Sequence, residues 1–141
     1  MRKVWVRIFA DDNDASMPIM EAVGLYAKKG DRHLVHYVDT SLGEGLRVRT
    51  LLQWKGQVLS VHRTGDIEER RRFALGEEVH TLYKTPFGNI PFSYRTEALT
   101  LTIAADTLSI ALAYRDTCKA GGTLRRLRLE IVPWNAQKSP A

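Results

Sequence analysis

The sequence predicts an all-β protein whose antiparallel strands close as a β-barrel or pack as a two-sheet sandwich. Three observations predict this class. Apolar and polar residues alternate along most of the chain, turn signals recur about every 10 to 15 residues, and helical patterns are scarce. So many strands without covering helices must deal with their unpaired edges, and a closed barrel or a two-sheet sandwich does so.

The size and composition suit one folded domain. A chain of 141 residues, 44% of them hydrophobic, can bury a core, and no apolar run approaches the roughly 18 residues that span a bilayer. The start of the chain does not fit a signal peptide, because Arg7 interrupts its apolar residues. The single cysteine, Cys118, is typical of a reducing cytoplasm. We expect one cytoplasmic domain over residues 1–133, a frayed tail over residues 134–141, and no membrane contact.

Period-two alternation justifies the individual strands. Residues 46–54 and 57–65 alternate on either side of Lys55-Gly56, a turn signal that indicates a hairpin. The other alternating sets place these apolar residues on one face: Val4, Val6 and Ile8; Leu99, Leu101 and Ile103; Leu108, Ile110, Leu112 and Tyr114; and Leu127, Leu129 and Ile131. This spacing predicts a meander of antiparallel strands.

Residues 66–78 fit two interpretations. Their composition is typical of a helix, with Asp66 as an N-cap and Gly76 as a stop. They also alternate as a strand would, with Arg70 and Arg72 on the face opposite Arg71. We favour the strand, because the neighbouring segments are strands.

Residues 83–92, YKTPFGNIPF, hold two prolines and a glycine. Pro86 disfavours a helix at the residue before it and supplies no hydrogen-bond donor to a sheet. Gly88 and Asn89 permit a positive φ, and Pro91 restricts the following strand to an edge or a bulge. The segment predicts a corner between two strands rather than a catalytic loop.

No pattern for catalysis, a metal or a cofactor is present. Cys118 has no evident activating base, and the acidic residues 11–14 lack the glycine and glutamate of a calcium loop. His33 and His36 point to opposite faces of a strand, so they would not share a metal ion. None of the four histidines has a ligand-like companion: His33, His36, His62 and His80. We expect no metal, no cofactor and no catalytic residue, and we favour a non-enzymatic protein.

Arginine gives the chain a moderate positive charge. Lys and Arg number 21 against 16 Asp and Glu, for a formal net charge of +5. The arginines form two groups, which are Arg70, Arg71 and Arg72, and Arg125, Arg126 and Arg128. On a strand, the members of each group would be divided between the two faces. Because no exposed aromatic platform is evident beside them, we favour a solvated face over a nucleic-acid groove.

Short motifs follow one another along the chain: GLYAK at 24–28, YVD at 37–39, VHRTG at 61–65, Phe73 and Gly76, YKTPFG at 83–88, Thr96, and Tyr114. In their order and spacing, over most of its length, the chain resembles the YwiB-like proteins. Thr40 departs from that pattern, which would have a second acidic residue there. The resemblance implies a single antiparallel, mostly up-and-down β-barrel of about eight to ten strands, calycin-type and lipocalin-like, in a bacterial cytoplasm, and it implies no known reaction.

The matching positions supply the candidate ligand-binding residues: Tyr26, Tyr37, Asp39, Arg63, Tyr83, Thr85, Thr96 and Tyr114. Arg63 shares a strand face with Leu59 and Val61, and a charged residue on an apolar face must be paired or bound to something. We favour a structural ion pair between Arg63 and Asp39. The alternative is a ligand carboxylate or phosphate held by Arg63.

Three functional hypotheses follow, of which the third, an enzyme of unknown type, has no supporting constellation of residues. The first is a non-enzymatic cytoplasmic barrel that binds a small, partly apolar or anionic ligand inside, since barrels of about eight or more strands can enclose one. It rests on analogy of fold. The second is a protein- or nucleic-acid-interaction module that uses the arginine-rich exterior and binds polyanions in a salt-dependent way. Either form is compatible with a homo-oligomer.

Overall fold

The computed structural model describes residues 1–10, 17–118 and 121–134, and within them it contains ten strands and no helix. The strands are β1 (Arg2–Ala10), β2 (Met20–Lys29), β3 (Arg32–Asp39), β4 (Val48–Lys55), β5 (Val58–Gly65), β6 (Glu69–Ala74), β7 (Glu78–Thr85), β8 (Gly88–Ala104), β9 (Thr107–Asp116) and β10 (Leu124–Pro133). The predicted all-β class is confirmed. The favoured strand within residues 66–78 is present as β6.

All ten strands form one antiparallel sheet in the order β6-β5-β4-β3-β2-β1-β10-β9-β8-β7. Strands that follow each other in the sequence pair with each other, except β6 and β7, which form the two ends of the sheet. In addition, β1 pairs with β10. The sheet curls until these ends face each other. The result is a nearly closed up-and-down barrel, as predicted.

The junction of β6 and β7, here called the seam, has one backbone bridge among the described residues. Glu68 and Lys84 exchange two N–H···O bonds of 2.9 Å. Beyond the bridge, side chains take the place of a ladder: the Thr81 hydroxyl donates to the Arg70 carbonyl at 2.9 Å. The Tyr94 hydroxyl donates to the Arg72 carbonyl at 2.9 Å and accepts from the Arg72 amide at 2.8 Å. These bonds satisfy edge groups that would otherwise lack partners.

The inward faces of the strands fill most of the barrel. The alternation predicted for the opening and closing strands is confirmed, since Val4, Val6, Leu129 and Ile131 are all buried. The core cluster is Val4, Val6, Met20, Val35, Tyr37, Leu52, Trp54, Leu59, Phe73, Tyr94, Leu108, Ile110, Leu112, Tyr114, Leu129 and Ile131. An interior packed in this way leaves little of the open space of a large ligand-binding barrel.

The segment 83–92 forms the predicted corner. Thr85 and Gly88 pair at the end of the β7–β8 hairpin, and Gly88 has a φ of 138°. The Thr85 hydroxyl accepts from the Phe87 amide at 3.1 Å and donates to the Gly88 carbonyl at 2.8 Å. Pro91 pairs with β7, before the pairing of β8 with β9 begins at Tyr94, so its missing N–H falls where β8 has one neighbour.

The end of β10 is followed by one described residue of the predicted tail. Trp134 stacks on Trp5 with ring centroids 5.0 Å apart, and its amide donates to the Lys3 carbonyl at 3.1 Å. Trp134 is therefore anchored on β1. Residues 135–141 of the predicted frayed tail, and the acidic residues 11–14, lie outside the described residues.

Replacing Tyr94 with Phe should open the seam. The change removes the hydroxyl that serves both backbone groups of Arg72, so we expect a loss of about 1–3 kcal/mol in unfolding free energy. Amide exchange in β6 should also become faster. Urea denaturation and hydrogen exchange by mass spectrometry measure both effects. Tyr83→Phe is the matched control on β7 and should change neither the unfolding free energy nor the exchange rate in β6. Equal effects of the two variants would contradict the role of the Tyr94 hydroxyl at the seam.

Candidate ligand-binding site

A row of polar side chains crosses four neighbouring strands inside the barrel. Glu69 on β6 lies opposite Arg63 on β5, Arg63 opposite Thr50 on β4, and Thr50 opposite Tyr37 on β3. This polar row ends at Gly24 on β2, directly opposite Tyr37. A Cβ on Gly24 would lie 3.3 Å from the Tyr37 Cβ and 2.8 Å from the His36 carbonyl oxygen. The glycine therefore makes room for the tyrosine.

Glu69 is shared unequally between two arginines. Its Oε2 accepts a hydrogen bond of 2.7 Å from Arg71 Nε, whereas its Oε1 lies 3.7 Å from Arg63 Nη1, too far for a hydrogen bond. The Glu69 side chain is 1% exposed and that of Arg63 is 23% exposed. Two cations and one anion leave this cluster with an excess positive charge.

The predicted ion pair between Arg63 and Asp39 is wrong, because the partner of Arg63 is Glu69. Asp39 is buried, as expected, but its Oδ1 accepts from the Ser41 amide at 2.8 Å and the Ser41 hydroxyl at 2.6 Å. The reason is register: Asp39 lies opposite Val48, one inward position beyond the row that contains Arg63. Sharing a barrel face does not place two side chains side by side.

Arg71 is stacked among aromatic rings. Its guanidinium carbon lies 4.7 Å from the centre of the Phe92 ring, 5.8 Å from that of Tyr94 and 5.9 Å from that of Tyr114. Burial lowers the pKa of Arg71, but the Glu69 carboxylate and the Tyr114 hydroxyl outweigh it and raise that pKa above its usual value. Arg71 therefore stays charged inside the barrel.

The solvated face predicted for the arginine run holds for Arg70 and Arg72, which are exposed, and is wrong for Arg71. The sequence analysis missed Glu69, Arg71, Phe92 and Tyr94 as members of the site. The alternation of Arg71 and Phe73 with Arg70 and Arg72 was the available signal, since it places Arg71 on the apolar side of the strand.

Two spaces meet at Arg63. The first, the interior cavity, has a volume of about 90 Å³. Its lining is Ile8, Tyr37, Leu52, Leu59, Val61, Arg63, Arg71, Phe73, Leu112, Tyr114, Leu127 and Leu129. The second, the seam cleft, opens at the surface with a volume of about 350 Å³. It is lined by His62, Arg63, Thr64, Glu68, Glu69, Arg70, Thr81, Leu82 and Lys84. Arg63 lines both spaces and so lies at their boundary.

Polar atoms in the row lack hydrogen-bond partners among the described residues. They are Arg63 Nε and Glu69 Oε1, both of them buried. A buried polar group without a partner costs about 1–3 kcal/mol, and such groups are few in folded proteins. The two belong to residues that lie opposite each other on neighbouring strands.

The other sequence-predicted site residues have separate environments. Tyr26 bonds to His33 Nδ1 at 2.8 Å, and Thr85 serves the hairpin turn. Thr96 is buried on β8 opposite Tyr114, and Tyr83 is half-buried on β7. Of the eight predicted residues, the structure brings three to the interior cavity: Tyr37, Arg63 and Tyr114.

His33 is part of an aromatic stack rather than a metal site. Its ring lies parallel to that of Trp54, with centroids 4.9 Å apart. Burial lowers the pKa of His33, Lys28 lowers it further and Asp31 opposes both. Within the described part of the chain, no group of three or more His, Cys, Asp or Glu side chains could hold a metal ion.

The fold and the site define a small antiparallel β-barrel protein with a charged, aromatic-lined pocket that opens at a seam. The chain belongs to the family described as a domain of unknown function (DUF1934), whose model matches residues 6–121. Its fold is similar to that in the crystal structure of the ywiB protein from Bacillus subtilis, with a TM-score of 0.72 and 19% sequence identity. That similarity covers 93% of this chain and 89% of the other.

The resemblance predicted from the motifs is thus confirmed. No curated protein matches the chain. Among the described residues there is also no helix that could span a membrane.

Replacing Arg71 with Met should strand the Glu69 carboxylate. Removal of one partner from a buried ion pair leaves an uncompensated charge, so we expect a loss of about 3 kcal/mol in unfolding free energy. Replacing both Glu69 and Arg71 with Met should recover most of that loss. The adjacent Arg72→Met is the control, since Arg72 and its partner Glu77 are exposed and its effect on the unfolding free energy should be small. Similar losses for Arg71→Met and Arg72→Met in urea denaturation would contradict the prediction.

Tyr37 should make stability fall at alkaline pH. Burial raises the pKa of Tyr37 to about 12; Arg63 works against this shift and Asp39 adds to it. Because an unfolded tyrosine ionises near pH 10, the folded state holds the proton more tightly. The stabilisation is complete below about pH 10 and is lost as the pH rises to about 12, by about 3 kcal/mol. Tyr37→Phe should lack this component, so in urea denaturation at several pH values the unfolding free energy of the wild type should fall relative to that of Tyr37→Phe above about pH 10. Parallel curves would show that the Tyr37 hydroxyl is not held neutral by the fold.

Proposed function

We propose that this protein binds a small carboxylate- or phosphate-bearing ligand at Arg63, without catalysing a reaction. The supporting observation is the state of Arg63 itself. Its guanidinium lies where the interior cavity meets the seam cleft, its Nε has no hydrogen-bond partner among the described residues, and its ion pair is long. A guanidinium offers five donors in a fork that matches carboxylate and phosphate oxygens.

The electrostatics of the cluster favour an anion. Glu69 mainly compensates the charge of Arg71, from which it accepts the 2.7 Å hydrogen bond. Its contact with Arg63 is longer, at 3.7 Å. Arg63 is largely removed from water, where opposite charges attract more strongly than at an open surface. An anionic group on Arg63 would neutralise the excess positive charge of Arg63, Arg71 and Glu69.

The volumes limit the ligand to a short molecule. Typical small-molecule sites measure about 300–1,000 Å³, whereas the interior cavity has about 90 Å³. At about 30 Å³ for each water-sized group, such a cavity holds about three of them. The apolar part of the ligand would occupy the interior cavity between Val61 and Leu127, with its charged end at Arg63 and toward the seam cleft. This arrangement is a reduced version of the barrel binding expected from lipocalin-like folds.

The arginine-rich exterior gives less support to the alternative, an interaction module for polyanions. Some of the arginines on the outer surface have carboxylate partners. Arg72 pairs with Glu77 at 2.9 Å, and Arg115 pairs with Glu97 at 2.7 Å. Such pairs reduce the charge available to a nucleic-acid backbone.

We also place the protein in the cytoplasm as part of this proposal. Cys118 is an exposed free thiol, and exposed thiols persist best in a reducing compartment.

Thermal melts and calorimetry with butyrate and with inorganic phosphate test the function. Butyrate should raise the melting temperature of the wild-type protein, by an amount that corresponds to about 2.7 kcal/mol at one hundred times its Kd. Arg63→Met should abolish the effect, because it removes the donor fork. Arg126→Met, on the exposed face of β10, is the matched control and should keep it. Stabilisation by either anion that survives in Arg63→Met would place the site elsewhere. No stabilisation by any small anion would refute the proposed function.

A further inference from the structure

Arg63 and Glu69 together present a donor and an acceptor to the same site. Arg63 Nε and Glu69 Oε1 are both buried without hydrogen-bond partners among the described residues, and Glu69 Oε1 lies 3.7 Å from Arg63 Nη1. Both residues line the seam cleft. The two atoms are therefore close enough to contact one small ligand at the same time.

The chemistry of the two groups is complementary rather than alike. A guanidinium only donates hydrogen bonds, and an ionised carboxylate only accepts them. A simple carboxylate or phosphate would satisfy Arg63 but would leave Glu69 Oε1 without a donor and would add a second negative charge beside it. A ligand that fits both residues must carry an acceptor and a donor on neighbouring atoms.

We propose that the ligand class is a short 2-hydroxycarboxylic acid, an inference that rests on the proposed function and extends it. Its carboxylate would accept from Arg63, and the hydroxyl on the adjacent carbon would donate to Glu69 Oε1. The short alkyl remainder would occupy the interior cavity.

Charge selects the hydroxy acid over the corresponding amino acid. Arg63, Arg71 and Glu69 sum to one positive charge, and the seam cleft adds Arg70, Lys84 and Glu68, so the site is positive overall. A 2-hydroxy acid brings one negative charge to this site, whereas a zwitterionic amino acid brings no net charge and places an ammonium group near two guanidiniums. The charge of Asp39, which acts on Tyr37, offsets only part of this excess. Burial of an uncompensated charge is costly, so the anionic ligand is favoured.

The test compares ligands that differ only at the second carbon. Wild-type protein is titrated calorimetrically with butyrate, with each enantiomer of 2-hydroxybutyrate and with 2-aminobutyrate. A hydrogen bond to a charged group contributes enough for the better 2-hydroxybutyrate enantiomer to bind about tenfold or more tightly than butyrate. The 2-amino acid should bind more weakly than the hydroxy acid. This comparison needs no variant, so it does not depend on any variant being folded.

A variant then locates the effect. The double replacement of Glu69 and Arg71 by Met removes the acceptor together with its hydrogen-bonded partner, and it keeps Arg63, whose side chain is 23% exposed. In this protein the advantage of 2-hydroxybutyrate over butyrate should fall to less than about twofold. Asp39→Asn is the control carboxylate and should retain the full advantage.

The outcomes separate the two proposals. Equal affinity for butyrate and 2-hydroxybutyrate, with both lost in Arg63→Met, would overturn the hydroxy-acid assignment and leave the proposed function standing. Tighter binding of 2-aminobutyrate would likewise overturn the assignment. If none of the acids binds, the proposed function and the ligand class fall together.

Discussion

Ten antiparallel strands leave two sheet edges, at β6 and β7, whose backbone groups must find hydrogen-bond partners. A single bridge between Glu68 and Lys84 serves one end, and the hydroxyls of Thr81 and Tyr94 serve the middle. Tyr94 bonds to Arg72 through its hydroxyl while its ring packs beside Phe73 and Phe92. The residue that satisfies this edge therefore also belongs to the aromatic cluster, and that cluster provides the faces on which the guanidinium of Arg71 stacks.

The charged groups inside this barrel differ in how much they contribute to stability. A buried ion pair repays its desolvation only with good geometry, and apolar replacements are often as stable or more so. Arg71 and Glu69 have such geometry, with a 2.7 Å bond and surrounding aromatic rings. Arg63 does not, since its contact with Glu69 is long and its Nε has no partner in the described part of the chain. A charged group that contributes little to the fold and lies at the entrance of a cavity has the properties of a ligand contact.

The fold alone would have suggested a larger ligand. Barrels of this strand number can enclose one, but here aromatic and aliphatic side chains fill the interior and leave a small space beside the polar row. Shape and charge at that space restrict the occupant more than the architecture does. Arg63 and Glu69 therefore support the proposed function more directly than the resemblance of this barrel to other barrels does.

The sequence by itself determined the features that depend on local order. Period-two alternation identified the buried faces of the first and last strands, and proline and glycine identified the corner at Pro86 and Gly88, because side-chain direction and turn geometry are set by adjacent residues. Only the tertiary structure decided that β1 pairs with β10 and that β6 and β7 are the edges. It also decided that Glu69, not Asp39, meets Arg63, and that Arg71 reaches Tyr114 across 43 residues of chain. Alternation shows which side of a strand a residue occupies, but strand register and the closure of the barrel decide which residues become neighbours across it.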